Sequence, residues 1–153
     1  MRRRLLAAAG FVNLVFAAFQ LTLAFAGAAA SRYLGAPRWA LAVLERGGPA
    51  LWLIVAAAAG LSAVVGLYGL SGAGLIRRLP ALGPVLVVAG SGYVLWSLRV
   101  VQFAVWEWQS PGSVAPRWFV IRGAPLLLGL AYLLGASAVA AAAPRVKAAR
   151  AGR

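Results

Sequence analysis

The 153-residue chain has no cysteine and no histidine, and its only acidic side chains are Glu45 and Glu107. The first two absences remove the usual ligands of haem, iron–sulfur clusters, copper and zinc, along with thiol nucleophiles and CxxC redox pairs. Two carboxylates allow paired acid–base catalysis only if Glu45 and Glu107 converge. The expectation is therefore a non-enzymatic protein with no cofactor and no metal. Lack of cysteine leaves the redox compartment open, because a disulfide-free chain is acceptable on either side of a membrane.

Charge of both signs is scarce. Only 11% of residues are charged against 63% hydrophobic, and mean hydropathy is +0.89. That excludes an ordinary water-soluble globule and points to lipid as the solvent. The length fits a single domain, 1–153. Arginine supplies fourteen of the fifteen basic residues and alanine is abundant, a composition typical of GC-rich bacterial genomes.

Hydrocarbon offers no hydrogen bonds, so a spanning segment must satisfy its own backbone; a helix of about 20 apolar residues does so across a core roughly 30 Å thick. Four stretches qualify: 5–30, 49–76, 79–105, and a fourth from Phe119 or Pro125 to Ala143 (119–143), followed by a short basic tail, 144–153. None shows the strict alternation of a barrel strand. The expected fold is an all-α bundle of four transmembrane helices. Gly47-Gly48-Pro49, Pro80 and Pro84, and Ser110-Pro111-Gly112-Ser113 punctuate the stretches. Between the first two, Trp39, Val43 and Leu44 recur at helical spacing between Arg38 and Arg46, which fits either a short amphipathic surface helix or a loop. Arg2-Arg3-Arg4, the apolar run and Ala24-Phe25-Ala26 imitate a signal peptide. The run is longer than an h-region and carries Asn13 and Gln20, so an uncleaved first helix is expected.

Basic residues accumulate on the cytoplasmic side of spans. Arg2, Arg3, Arg4, Arg77, Arg78, Arg145, Lys147, Arg150 and Arg153 fall at one side; Arg32, Arg38, Arg46 and Arg117 fall at the other, with both glutamates. Both termini are thus expected in the cytoplasm of a bacterial inner membrane. Trp39, Trp106, Trp108 and Trp118 fall at the outer face, where indoles favour the headgroup level. The net charge of +13 is spread as helix bookends rather than gathered on a domain face. It reads as topology signal and lipid attraction, with no nucleic acid as partner.

Small-residue pairs, Ala56/Gly60, Ser62/Gly66 and Gly69/Ala73 on the second span and Ala131/Gly135 on the fourth, suit close helix packing within the chain or between copies. Ionisable residues inside a span are costly and mark candidate sites. Arg99 stands out. With Gln102 one turn away, Gln20 at comparable depth, and Glu107 or Glu45 as counter-charge, it could form a polar centre open to the outer side; alternatively it snorkels to the headgroups. Arg122 is a weaker candidate at the interface. Asn13, Tyr93, Ser97 and Tyr132 read as hydrogen-bonded packing residues.

The stretches Asn13-Leu14-Val15-Phe16-Ala17-Ala18-Phe19-Gln20 and Trp96-Ser97-Leu98-Arg99-Val100-Val101-Gln102-Phe103 resemble those of small uncharacterised bacterial four-helix integral membrane proteins. In such proteins the position of Gln20 is often His, so a role resting on that His does not carry to this chain, and the resemblance implies no activity. The expected function is that of a multi-pass inner-membrane subunit, accessory protein or homo-oligomer acting through helix contacts, with membrane lipids and a membrane-protein partner or further copies as its associates. The alternative is a small transporter or channel with a polar pocket around Arg99 for an anionic or polar solute.

Overall fold

A computed structural model describes residues 1–151 apart from 35, 37 and 113; the side chains at 122 and 141–151 lie outside that description. Every element among the described residues is helical: α1 (Arg2–Tyr33), α2 (Arg38–Arg46), α3 (Pro49–Ala73), α4 (Leu82–Ser97), α5 (Arg99–Gln109) and α6 (Pro116–Ala151). Four segments are long and apolar enough to cross a membrane: α1, α3, α4 with α5 as one span from Leu82 to Gln109, and α6. At 1.5 Å per residue, α3 alone is about 37 Å long, more than a hydrocarbon core requires.

The punctuation acts as its chemistry dictates, with four departures from the expected bounds. The first helix runs on to Tyr33 but bends at Gly27, whose φ of 82° only glycine adopts without strain. The second span stops at Ala73, because Gly74 enters the left-handed region and Leu75 N–H turns back onto the Leu70 carbonyl at 3.0 Å. The third is interrupted: three-residue turns from Leu95 to Leu98 (3.3 Å) and from Leu98 to Val101 (3.1 Å) break the i→i−4 ladder and separate α4 from α5. The fourth begins at Pro116, a residue suited to a first helical turn, and therefore carries Pro125 in its interior. Pro125 has no N–H to give the Ile121 carbonyl. The segment from Arg38 to Arg46 is a helix, with Arg38, Glu45 and Arg46 exposed and Leu41, Val43 and Leu44 half-buried.

Two helix pairs make the bundle. Helix α1 packs chiefly on α3, and α4 chiefly on α6, while lighter contacts of α1 with α6 and of α3 with α4 join the pairs. The start of α1, the end of α3, the start of α4 and the last part of α6 gather at one end, hereafter the terminal end. There Leu6, Ala9, Leu82, Leu86, Tyr132 and Ala136 form the core. Much of the remaining apolar surface faces outward, as with Leu53, Leu61, Val88, Leu95 and Leu127. That is the pattern of helices whose solvent is lipid.

Without a hydrophobic force between helices in lipid, backbones must come close to gain dispersion contact. They do so at glycines. A Cβ on Gly10 would stand 2.8 Å from the Gly66 carbonyl and 2.9 Å from Leu70 N; one on Gly129 would stand 2.8 Å from the Gly90 carbonyl and 2.9 Å from Val94 N. These are backbone atoms and cannot swing aside. Gly10→Ala and Gly129→Ala should each destabilise the bundle by about 1–3 kcal/mol, whereas Gly60→Ala, whose Cβ meets nothing within 4 Å, should be neutral or slightly stabilising. Unfolding in mixed detergent micelles followed by circular dichroism checks the contrast, and equal effects at all three positions would refute it.

Candidate functional site

The side chain of Asn13 is 0% exposed. Its Nδ2 donates to the Ala9 carbonyl at 3.2 Å and to the Tyr132 hydroxyl at 2.8 Å. The Tyr93 hydroxyl donates to Asn13 Oδ1, and the Tyr132 hydroxyl donates to the Val65 carbonyl at 3.2 Å. The rings of Tyr93 and Tyr132 stack with centroids 6.1 Å apart and planes 12° from parallel. One asparagine thus links α1, α3, α4 and α6. Asn13 and Tyr93 each lie about 17 Å of helix rise beyond the first residues of α1 and α4, near the middle of a bilayer-sized slab.

Asn13, Tyr93 and Tyr132 belong to packing, as their residue types suggested, but their convergence is legible only by counting rise along three helices. Ser97, also 0% exposed, closes locally onto the Val94 carbonyl at 2.8 Å.

The residues marked as a polar centre go elsewhere. Gln20 Nε2 donates to Ser62 Oγ at 3.0 Å, a second tie between α1 and α3, and its Oε1 is buried without a partner among the described residues. Arg99 opens α5 immediately after the break at Leu98 and is exposed, as is Gln102. No described hydrogen bond joins Arg99, Gln102 and Gln20 to one another. Neither glutamate serves Arg99: Glu45 pairs with Arg32 at 2.8 Å, and Glu107 accepts the backbone N–H of Gly112 at 2.6 Å and of Val114 at 3.0 Å, bracing the turn between α5 and α6. The side chain of Arg122 lies outside the described residues.

Above the asparagine centre, away from the terminal end, α1 parts from α4 and α6. The gap is a cleft of about 460 Å³, walled by Phe16, Phe19 and Leu23 of α1, Tyr93 and Trp96 of α4, and Ile121, Ala124, Pro125 and Leu128 of α6. Its walls are almost wholly apolar. Past its upper edge, Arg117 of α6 lies over the rings of Tyr33 and Trp118, its guanidinium carbon 4.7 Å and 5.5 Å from their centres, and so ties α6 back to α1.

A search among protein families, curated proteins and solved structures finds no match to this chain.

If the asparagine centre holds the four spans together, Asn13→Ala and Tyr132→Phe should each lower stability by about 1–2 kcal/mol. The double variant should lose less than the sum, since both act on one bonded unit. Mixed-micelle unfolding measures the cycle, and strict additivity would show that the bonds are not coupled.

Proposed function

We propose that the chain is a non-enzymatic, multi-pass component of a bacterial cytoplasmic membrane, working through helix contacts as a subunit, accessory protein or homo-oligomer. The single observation that supports this best is an uncovered seam on α3. Most of the small-residue notches are filled from within: Gly66 and Gly69 face Gly10, and Gly135 faces Leu6. The pair Ala56 and Gly60 is exposed, has nothing packed against Gly60, and is flanked by Leu53, Leu61 and Val64, exposed at 71%, 67% and 48%. A small-xxx-small notch between large apolar side chains is what another helix needs for close approach in lipid.

Orientation with both termini in the cytoplasm rests on the arginines. Arg2, Arg3, Arg4, Arg77 and Arg78 stand at the terminal end, joined in sequence by Arg145, Lys147, Arg150 and Arg153, against Arg32, Arg38, Arg46 and Arg117 at the other. In that orientation Arg99 lies about 26 Å of rise beyond Leu82, within snorkelling distance of the outer headgroups. A transport pocket around Arg99 has less support, because the neighbouring cleft is lined by hydrocarbon and the interior Asn13, Tyr93 and Tyr132 are bonded to one another.

The chain has no cysteine of its own, so a Gly60→Cys variant carries one thiol. Loaded in native membranes with a maleimide–benzophenone and illuminated, it should give a discrete protein adduct, of twice the chain's mass for a homo-oligomer or of another mass for a partner subunit. Val88→Cys, at a residue of α4 that is 73% exposed, should give none. Absence of an adduct at Gly60, or the same adduct at both positions, would sink the reading. In the same series Ser110→Cys should react with an impermeant maleimide added outside intact cells; protection there would reverse the orientation.

A further inference from the structure

The cleft between α1, α4 and α6 has a shape and a charge pattern that point to a ligand. Below, Tyr93 forms both its floor and part of the asparagine centre, where α1 and α6 are held together by the bond between Asn13 and Tyr132. Above, the stacking of Arg117 on Tyr33 joins the same two helices again. Between these ties the cleft is a window: Phe16, Trp96 and Val120 line it, yet are 44%, 60% and 71% exposed on the flank of the bundle. It therefore opens sideways, towards lipid, and its volume of about 460 Å³ is in the range of sites that hold small ligands, ~300–1,000 Å³.

Two arginines stand close to the lining along the chain. Arg99 lies one turn beyond the lining Trp96, and Arg117 one turn before the lining Val120. Neither faces a carboxylate among the described residues, because Glu45 is engaged by Arg32 and Glu107 by the amides of Gly112 and Val114. An oily slot with an arginine one turn from its lining on each of two helices complements a molecule with a hydrocarbon tail and an anionic head.

We propose that this cleft is a binding site for one anionic phospholipid, which lays an acyl chain against Phe16, Trp96 and Ala124 and sets its phosphate between Arg99 and Arg117. The tail is held by exclusion from the flank between two fixed ties, and the head by charge-assisted hydrogen bonds from guanidinium groups. Arg99, costly inside a span, thereby acquires a counter-charge that no described residue supplies. The site stands apart from the α3 seam and does not depend on what covers that seam.

Native mass spectrometry of the purified full chain, titrated with phosphatidylglycerol and with phosphatidylcholine of identical acyl chains, tests the proposal. The wild type should retain one phosphatidylglycerol with a preference of roughly tenfold to thirtyfold, as expected for two arginines at an anionic headgroup. Ala124→Trp, which fills the cleft, should lose that lipid. Val120→Trp obstructs the mouth from an exposed position and should do the same, should Ala124→Trp fail to retain its helicity. Arg99→Gln, which leaves the stacking of Arg117 on Tyr33 in place, should keep lipid binding but weaken the preference about fivefold. Equal binding of the two lipids by the wild type, undiminished binding in a folded cleft-filling variant, or an undiminished preference in Arg99→Gln would overturn it.

Discussion

A polar atom in hydrocarbon has no water to fall back on, and this constraint orders the whole structure. Asn13 brings an amide into the middle of the bundle, where leaving it unpaired would cost several kcal/mol on transfer scales. Its partners are taken from other helices: a hydroxyl from α4, a hydroxyl from α6 and, through that second hydroxyl, a carbonyl of α3. Dispersion between smooth apolar helices is indifferent to rotation and register. A bonded asparagine is not, because a slip of one residue in any helix would withdraw a partner and strand the amide.

Around that centre, glycines determine how near the backbones come. The Gly10 face against Gly66 and Gly69 draws α1 onto α3, and Gly90 against Gly129 draws α4 onto α6. The two pairs then differ in how they meet each other. They are locked at the terminal end by Leu6, Leu86, Tyr132 and Ala136 and at mid-depth by Asn13, while above Tyr93 the stacking of Arg117 on Tyr33 bridges α1 and α6. The cleft follows from this uneven joining: the close glycine contacts lie within the two pairs, and bulky Phe16, Phe19 and Trp96 line the space left between them.

Four apolar helices and their order were legible from the runs of hydrophobic residues, since length and hydropathy alone decide whether a segment can cross a membrane. The amphipathic segment at Arg38–Arg46 was legible as one of two options; of the three apolar residues that marked it, the helix half-buries Val43 and Leu44 and leaves Trp39 exposed. The break at Leu98 was not legible. Nothing at Ser97-Leu98-Arg99 is a strong helix breaker by residue type, although the Ser97 hydroxyl bonds back to the Val94 carbonyl at the break. Pro125 offered a start signal that Pro116 overrode, because a proline is tolerated inside a long apolar helix whose neighbours support it. For the site, residue type identified Asn13, Tyr93 and Tyr132 as packing groups, whereas partnership required three dimensions. Arg99 drew notice by charge alone. Its cost is real, but charge along a sequence does not reveal which face of the helix bears it, and the structure puts it on the exposed one.

The central claim is that one interior amide, sealed from water and lipid, couples four membrane-crossing helices. The most direct measurement is nuclear magnetic resonance of the Asn13 side-chain amide in ¹⁵N-labelled protein reconstituted in lipid nanodiscs. The account requires Overhauser contacts from its protons to the rings of Tyr93 and Tyr132 and slow exchange with deuterated solvent. Contacts to lipid acyl chains instead, or exchange at the rate of an exposed amide, would contradict it.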